Sequence, residues 1–191
     1  MSNCFILLAA GKGKRFKSNT LKQFINYKNK PLFMHSIDKA TKSNLFKEIV
    51  LVTNSKIKLK NKKVKIIKGG KERCQSSQKG LEYIKNKKFK NVFIHDAARP
   101  DFSVNLLKNL KKHLNNNKAV VPYINTDNSA KYNNKNKVIN LKRDKVLLTQ
   151  TPQCFDFKTL YNLSKNNKNI VTDEATLFLN NNKKIKFIKG E

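Results

Sequence analysis

A chain of 191 residues, 38% of them hydrophobic, has enough length and apolar content for one globular domain, and we expect residues 1–191 to form it. No stretch approaches the roughly 18 apolar residues of a membrane span, and the run from Cys4 to Ala10 is too short for a signal peptide. We therefore expect a cytoplasmic protein without membrane contacts. Its three widely spaced cysteines are expected to be free thiols. Its net charge of +30 makes nucleic acid a candidate partner that the motifs must support or exclude.

The chain alternates short apolar runs with longer segments of helical periodicity. Strands are predicted at residues 3–9, 48–53, 64–67, 91–95, 119–123 and 184–188. Helices are predicted at residues 31–43, from the Gly69-Gly70 pair to about 84, at 103–114, and from about 156 and 172. Strands that alternate with helices indicate a mainly parallel sheet covered on both faces, and therefore an α/β fold.

Residues 127–142 break this alternation. The segment is polar and contains the turn-like run Asn133-Asn134-Lys135-Asn136 between two weak strands, at residues 129–132 and 137–141. A protruding β-hairpin arm fits this pattern better than another buried unit.

The basic residues are mostly lysine, and the lysines alternate with asparagines along the whole chain. Arginine fills only four of the 42 basic positions, which are Arg15, Arg73, Arg99 and Arg143. Such a bias indicates that lysine is used wherever any solvated cation suffices, so the remaining arginines mark positions that need a planar, bidentate fork. Because no basic stripe with interleaved aromatic residues is present, the charge gives little support to a nucleic-acid-binding module.

The segment LAAGKGKRF places Gly11 and Gly13 directly after the first strand. Glycines there allow backbone N–H groups to approach an anion without interference from a Cβ atom. Phe16 stands where a dinucleotide motif needs glycine, and the segment lacks the Gly-Lys-Ser/Thr end of a P-loop. The pattern favours a nucleotide loop, with Arg15 and Lys22 as charged ligands, over an ordinary tight turn.

Two further segments suggest binding sites. In GGKERCQSS, a glycine pair precedes a helix that carries Ser76 and Ser77 in its first turns, which suits either a ribose or base contact or plain helix capping. In IHDAARP, Asp96 stands at the carboxyl end of a strand and is followed by Arg99. Ligands collect at that edge of open α/β sheets, so Asp96 is predicted to hold a divalent metal on phosphates rather than to be purely structural.

Other features are weak in isolation. Arg143, near the base of the arm, could equally be a solvated surface arginine. Thr172-Asp173 could equally be the N-cap of a helix. His95 is expected to be structural, and the other two histidines show no metal-ligand spacing.

Taken in order, LAAGKGKRF, LKQF, GGKERCQSS, HDAARP, QTPQCF and TDEA resemble the methylerythritol phosphate cytidylyltransferase family over nearly the whole chain. The related ribitol-phosphate cytidylyltransferases are expected to have AGG in the first loop, HDAVRP, and TDA. This chain has Ala9-Ala10-Gly11, Ala98 and Glu174 instead. The resemblance therefore favours the methylerythritol family and implies a Rossmann-like nucleotidyltransferase sheet.

The resemblance also implies roles for individual residues. The nucleotide-binding positions would be Ala9, Ala10, Gly11, Gly13, Gly70, Lys71, Ser76, Asp96 and Ala97. Arg15 and Lys22 would be catalytic, stabilising charge on the phosphates, and Asp96 would contact Mg²⁺. The substrate-binding positions would be Arg99, Ser129, Arg143, Thr172 and Asp173.

The implied reaction joins CTP to 2-C-methyl-D-erythritol 4-phosphate and releases pyrophosphate, in isoprenoid precursor synthesis. The arm would carry Ser129 and Arg143 into the partner's site, which makes a homodimer the expected working form.

The chain departs from the family pattern at three points. Leu21 replaces a usual proline, and Ser129 replaces a threonine while keeping the hydroxyl. The chain stops at Gly190-Glu191, where the family normally continues through an Asn-x-Lys-Ile-Thr segment into a terminal helix. A phosphate-contacting lysine and a covering helix of that segment are therefore missing, so we expect either that the sequence is shortened or that other groups replace them.

Overall fold

The computed structural model describes residues 2–11, 20–134 and 137–191. The strands are β1 (Asn3–Leu8), β2 (Asn26–Tyr27), β3 (Lys30–Pro31), β4 (Glu48–Val52), β5 (Val64–Ile67), β6 (Asn91–Asp96), β7 (Ala119–Ile124), β8 (Ala130–Asn134), β9 (Lys137–Leu141), β10 (Leu148–Thr149), β11 (Gln153–Asp156) and β12 (Lys186–Lys189). The α-helices are α1 (Leu32–Lys42), α2 (Arg73–Ile84), α3 (Val104–Leu114), α4 (Phe157–Asn166) and α5 (Glu174–Asn180), and two 3-10 helices span Lys22–Phe24 and Arg143–Lys145.

The central sheet has the strand order β10-β7-β11-β6-β1-β4-β5, and β12 pairs with β7. Strand β1 lies parallel to both β4 and β6, β4 lies parallel to β5, and β12 lies parallel to β7. Only β10 and β11 run antiparallel to their neighbours among the described strands of this sheet. The predicted α/β fold with a mainly parallel sheet is therefore confirmed.

Helices cover both faces of the sheet because alternate residues of each strand point to opposite sides. On one face, Phe5 and Leu7 of β1 pack in a cluster with residues of α1 and α3, such as Ile37 and Leu110. On the other face, the cluster around Ile6 includes the inward residues of α2, α4 and α5. Every residue of β1 is buried, which explains why its sequence is a continuous apolar run.

Strand β11 was not predicted. The QTPQCF segment suggested only a turn, yet its last residues form an antiparallel strand between β6 and β7. Gln153, Cys154 and Phe155 are all fully buried. Two apolar residues after a polar one give no strand periodicity, so the sequence signal was too short to detect.

The predicted hairpin arm is present. Strands β8 and β9 form a separate two-stranded sheet in which Tyr132 lies opposite Ile139. Most residues of both strands are exposed, including the large apolar residues Tyr132, Val138, Ile139 and Leu141. The arm therefore packs little against its own core, as its polar sequence indicated.

Across residues 2–11, 20–134 and 137–191, the structure contains no helix with the length and apolar character needed to cross a membrane. The described cysteines Cys4, Cys74 and Cys154 are free.

Candidate functional site

The candidate site lies at the carboxyl edge of the parallel strands. Leu8 at the end of β1 is paired with both Val52 of β4 and Asp96 of β6, so the three strands end side by side. The backbone continues this alignment, since the amide of Ala9 donates to Val52 O at 2.8 Å and that of Ala97 to Leu8 O at 3.0 Å. The loops that follow these strands therefore meet at one edge, as the sequence predicted.

The first loop is held by a residue that the sequence analysis did not single out. Gln23 is buried and its Nε2 donates to the carbonyl oxygens of Ala9 at 2.9 Å and Gly11 at 3.0 Å. Lys22 is exposed beside it in the 3-10 helix Lys22–Phe24, so this candidate catalytic lysine borders the loop. The other two candidates of this loop, Gly13 and Arg15, lie outside the described residues.

The glycine pair before α2 forms one wall of a cleft of about 740 Å³. Three predicted nucleotide-binding residues, Ala10, Gly70 and Lys71, line this cleft. Asn54, which was not predicted, fixes the turn, because its Oδ1 accepts a hydrogen bond from Gly69 N at 3.1 Å. The cleft has a size typical of sites for small ligands.

Ser76 shapes the same turn from within α2. Its Oγ accepts from Gly70 N at 3.1 Å and donates to Glu72 O at 3.1 Å. Glu72 and Gln75 form a reciprocal capping box at the start of the helix. The structure thus shows the capping geometry proposed as the alternative interpretation of this segment, and it places Ser76 directly behind a cleft-lining residue.

The close approach at Gly69 supports a prediction about packing. A Cβ atom at Gly69 would lie 2.3 Å from Ala10 Cβ and 3.0 Å from Ser76 Oγ. We expect Gly69→Ala to lower the free energy of unfolding by ~1–3 kcal/mol, because overpacking forces the two loops apart. Urea unfolding measures this change. Gly11→Ala is the matched control, since no atom of the described residues lies within 4 Å of its Cβ position, and an equal loss in both variants would contradict the prediction.

Asp96 lies in a charged bridge with Arg73 and Glu174. Arg73 Nε donates to Asp96 Oδ1 at 2.9 Å, while its two terminal nitrogens donate to Glu174 Oε1 at 2.9 Å and Oε2 at 3.0 Å. Arg99 approaches the other oxygen of Asp96, with Nε 3.6 Å from Oδ2. The bridge joins three motifs that are far apart in sequence: GGKERCQSS, HDAARP and TDEA.

Arg73 was noted as one of the four arginines but was not assigned to the site. Burial alone would lower the pKa of its guanidinium, but the charges and hydrogen bonds of Glu174 and Asp96 outweigh burial and raise the pKa. Its N–H groups donate from two edges of the planar guanidinium to two carboxylates, which explains why lysine does not occupy this position.

Thr172 and Asp173 begin α5 beside the same bridge. Asp173 caps the helix, with Oδ1 accepting from Thr176 N at 3.1 Å, and its Oδ2 accepts from Gln153 Nε2 at 2.8 Å. Burial opposes ionisation of Asp173, but the hydrogen bonds from Gln153 and Thr176 lower its pKa below the usual value. Gln153 also accepts from Ala175 N at 3.2 Å, so the unpredicted strand β11 anchors the start of α5. Thr172 is exposed.

His95 is fully buried between aromatic rings, 4.5 Å from the Phe102 centroid and 5.9 Å from that of Phe5. Burial lowers its pKa to about 3, so the imidazole is neutral near pH 7. Its Nδ1 is 2.8 Å from Thr151 Oγ1, which places the QTPQ turn against the end of β6.

The two candidate residues of the arm are not joined to this cluster within the chain. Arg143 Nη1 donates to Asp127 O at 3.3 Å, and Ser129 Oγ accepts from Lys131 Nζ at 2.9 Å. Both side chains are exposed, and in the described parts of the chain neither forms a hydrogen bond or ion pair with Asp96 or the cleft.

The part of the chain that the structure describes holds no group of three or more His, Cys, Asp or Glu side chains arranged as a metal site. A single carboxylate, Asp96, stands at the strand edge with one oxygen taken by Arg73. This fits a magnesium ion that is held largely by nucleotide phosphates and water, as Mg²⁺ in phosphoryl-transfer sites commonly is. It does not fit an ion held by a dedicated all-protein cage.

Comparison with known proteins agrees with this arrangement. The chain is 51% identical over 196 residues to the bifunctional enzyme IspD/IspF of Pelagibacter ubique, which covers all of this chain and 53% of that protein. It is 34% identical over 204 residues to the 2-C-methyl-D-erythritol 4-phosphate cytidylyltransferase of Clostridium botulinum strain ATCC 19397. This alignment covers 98% of this chain and 88% of that enzyme.

A solved structure gives the same result. The bifunctional IspDF of Campylobacter jejuni matches with a TM-score of 0.88 and 30% identity, over 100% of this chain and 50% of that one. This chain thus spans about half the length of the two bifunctional proteins. The family model described as IspD, 2-C-methyl-D-erythritol 4-phosphate cytidylyltransferase, matches residues 3–191. The chain therefore belongs to the 2-C-methyl-D-erythritol 4-phosphate cytidylyltransferase family, which is a family of nucleotidyltransferases.

Proposed function

We propose that this chain catalyses transfer of a cytidylyl group from CTP to 2-C-methyl-D-erythritol 4-phosphate, forming 4-diphosphocytidyl-2-C-methyl-D-erythritol and pyrophosphate. The observation that carries the proposal is the convergence of the family motifs at one sheet edge. Ala10 of the first loop and the glycine pair line the cleft, while Asp96 and the start of α5 meet in the charged bridge. Helix α2 connects the two, since its Arg73 forms the bridge and its Gln75 lines the cleft.

In this proposal the cleft takes the nucleotide. Backbone groups of residues 9–11 and 97, together with Gly70, Lys71 and Ser76, bind cytidine, and Gly13 is assigned to the same nucleotide. Glycines at these positions leave room for the ligand to reach the backbone. The exposed Lys22 at the border of the loop supplies positive charge close to the phosphates.

The reaction proceeds by in-line displacement at phosphorus. An oxygen of the substrate phosphate forms a bond to the α-phosphorus of CTP, the bond from that phosphorus to the bridging oxygen breaks, and pyrophosphate leaves with the electron pair. Such a reaction depends on positioning and on stabilisation of negative charge rather than on an acid or base. Arg15 and Lys22 provide that stabilisation, and neutral, buried His95 takes no part in proton transfer.

Magnesium is the cation that this site accommodates. Asp96 would hold it, with the nucleotide phosphates as the remaining anionic ligands. When bound, the ion neutralises charge on the phosphates of CTP. Arg99, 3.6 Å from Asp96, then faces the substrate side of the same carboxylate.

The polyol phosphate is proposed to bind between Arg99, Thr172 and Asp173 of one subunit and Ser129 and Arg143 of a partner. Support comes from the arm, whose exposed apolar side chains include Tyr132 and Val138, 53% and 63% exposed. Large apolar residues on an arm that packs little on its own core suit a surface covered by a second copy. The working form is therefore a homodimer.

We further propose a cytoplasmic location without specific nucleic-acid or membrane partners. Free cysteines are typical of a reducing compartment. Burial raises the pKa of the thiols of Cys4 and Cys154, which keeps them inert.

A pyrophosphate-release assay tests the activity. We expect turnover with CTP and 2-C-methyl-D-erythritol 4-phosphate, and at least a ~10-fold lower kcat/KM when either ATP or ribitol 5-phosphate is substituted, because discrimination by a site built to hydrogen-bond its ligand exceeds that factor. Turnover with ribitol 5-phosphate alone would assign the chain to the related polyol-phosphate activity instead.

A further inference from the structure

The bridge Asp96–Arg73–Glu174 contains one almost fully buried carboxylate. The Glu174 side chain is only 2% exposed, while those of Arg73 and Asp96 are 25% and 27% exposed. Glu174 does not line the cleft assigned to the nucleotide. Whatever it contributes to the reaction must pass through Arg73, whose two terminal nitrogens it holds at 2.9 and 3.0 Å.

Burying a carboxylate at this position is costly, because a charge loses its hydration and regains it only through well-formed pairing. The neighbouring inward residues of α5 are Ala175, Leu177 and Phe178, so an apolar residue at position 174 would be in keeping with the packing there. The geometry of the pair is that of a fork, in which two parallel N–H groups meet two oxygens. A fork fixes the plane of the guanidinium, and thereby the direction of the third donor, Nε, toward Asp96.

The charges of the bridge also indicate that Glu174 acts on Asp96 through Arg73. Asp96 and Arg73 alone would form a neutral pair, whose carboxylate attracts a cation weakly. With Glu174 included, the three groups carry a net charge of minus one, which balances Arg99, whose Nε lies 3.6 Å from Asp96 Oδ2. Without Glu174, Asp96 would stand between two guanidinium groups, and the cluster would carry a net positive charge. The second carboxylate offsets the guanidinium, so Asp96 stays able to attract positive charge while Arg73 still fixes its orientation.

We propose that Glu174 is a positioning residue that acts through Arg73 to orient Asp96 and to keep it attractive to the cation that accompanies the nucleotide. This inference rests on the proposed function, since it assigns Asp96 to the nucleotide and its metal ion. It makes the start of α5, in the TDEA motif, part of the machinery that prepares the nucleotide side of the site.

A double-mutant cycle tests the inference. The variants are Glu174→Gln, which keeps the shape and removes the charge, Asp96→Asn, and the two combined. The readout is binding of the preformed Mn²⁺–CTP complex to the protein, with no polyol phosphate added, measured by equilibrium dialysis of the complex against each variant. We expect Glu174→Gln to weaken binding by roughly 10- to 100-fold, as changes beside a metal ligand commonly do.

In the Asp96→Asn background the same change is expected to alter binding by less than about threefold, because its route to the ion is already lost. Full additivity of the two effects, or unchanged binding by Glu174→Gln, would overturn the proposal. Glu48→Gln is the matched control. Glu48 also pairs with a cation, Lys87, at 2.8 Å, but it lies at the amino end of β4, away from the site, and its loss should leave Mn²⁺ binding unchanged.

The free energy of unfolding, measured on the same four proteins in urea, gives a readout independent of ligands. Because Asp96 and Glu174 share one guanidinium, their effects on unfolding should not add. Additive unfolding effects would refute the bridge even if binding changed. A different outcome would separate this inference from the proposed function. If the unfolding energies of the four proteins show the coupling, but the wild type neither binds CTP with Mn²⁺ nor turns over, the proposed function is contradicted and the structural coupling stands.

Discussion

Replacing Asp96 by asparagine is expected to lower kcat/KM for cytidylyl transfer by about 100-fold or more, equivalent to ~3 kcal/mol of transition-state stabilisation. Asparagine keeps the size of the side chain and its acceptor toward Arg73 Nε, 2.9 Å away, but removes the negative charge. If Asp96 holds magnesium as proposed, the charge partner of the ion is then lost, while Arg73 and Arg99 remain as neighbouring cations. Initial rates measured across a range of Mg²⁺ concentrations check this, and the Mg²⁺ concentration for half-maximal rate should rise.

Asp101→Asn is a suitable control, because Asp101 directly follows the same motif, five residues after Asp96, and is exposed. Its loss should change kcat/KM by less than about threefold, as surface substitutions usually do. If Asp96→Asn kept both its turnover and its Mg²⁺ dependence, Asp96 would have no place in the reaction.

Most strands of the central sheet could be predicted from the sequence, because they are short, continuous apolar runs. The bounds of β5 agree with the prediction, and those of β1, β4 and β6 differ by one residue. The bounds of β9, which lies in the separate arm, also agree. Strand β11 escaped detection for a physical reason. It is buried by its neighbours β6 and β7, which come from distant parts of the chain, and its own four residues carry no periodic signal.

The candidate site was predictable only where a residue type is itself informative. Glycines after a strand, an aspartate at a strand end and a rare arginine each indicated a position. Gln23 and Asn54 gave no such signal, since amide side chains that satisfy loop carbonyls and amides are common everywhere. Arg73 was visible through the lysine bias, but its partners 23 and 101 residues away could be found only from the structure.

The same division applies to Ser76. Its spacing from Gly70 suggested a ligand contact, and the structure shows its hydroxyl between Gly70 N and Glu72 O, 3.1 Å from each. A short hydroxyl can close a turn or face a ligand with the same local sequence, so sequence spacing cannot separate the two. The partner of the Ser76 hydroxyl is set by tertiary structure, so it could not be predicted from the sequence alone.

Arg143 is predicted to serve the neighbouring subunit's site. It is one of four arginines among 42 basic residues, it is exposed on an arm that packs little on its own core, and its described hydrogen bond reaches only Asp127 O, at 3.3 Å. A fork with most of its donors unpaired among the described residues suits bidentate binding of a substrate phosphate. The alternative, an arginine that contributes only to surface charge, would have little effect when removed.

Mixing two inactive variants separates these alternatives. Arg143→Ala and Lys22→Ala are each expected to lose about 100-fold in kcat/KM, since each removes a charged contact worth ~3 kcal/mol to the reacting phosphates. If Arg143 acts across the interface, a mixed dimer has one site with both changes and one with neither, so activity returns toward half of wild type per heterodimer. If it acts within its own subunit, each site keeps one change and no activity returns.

Arg99→Ala mixed with Lys22→Ala is the control, because both residues are assigned to the same chain's site and the two variants should not complement each other. Subunit exchange is verified with two differently tagged chains, and failure to recover activity despite exchange would rule out the shared site while leaving the family assignment unaffected.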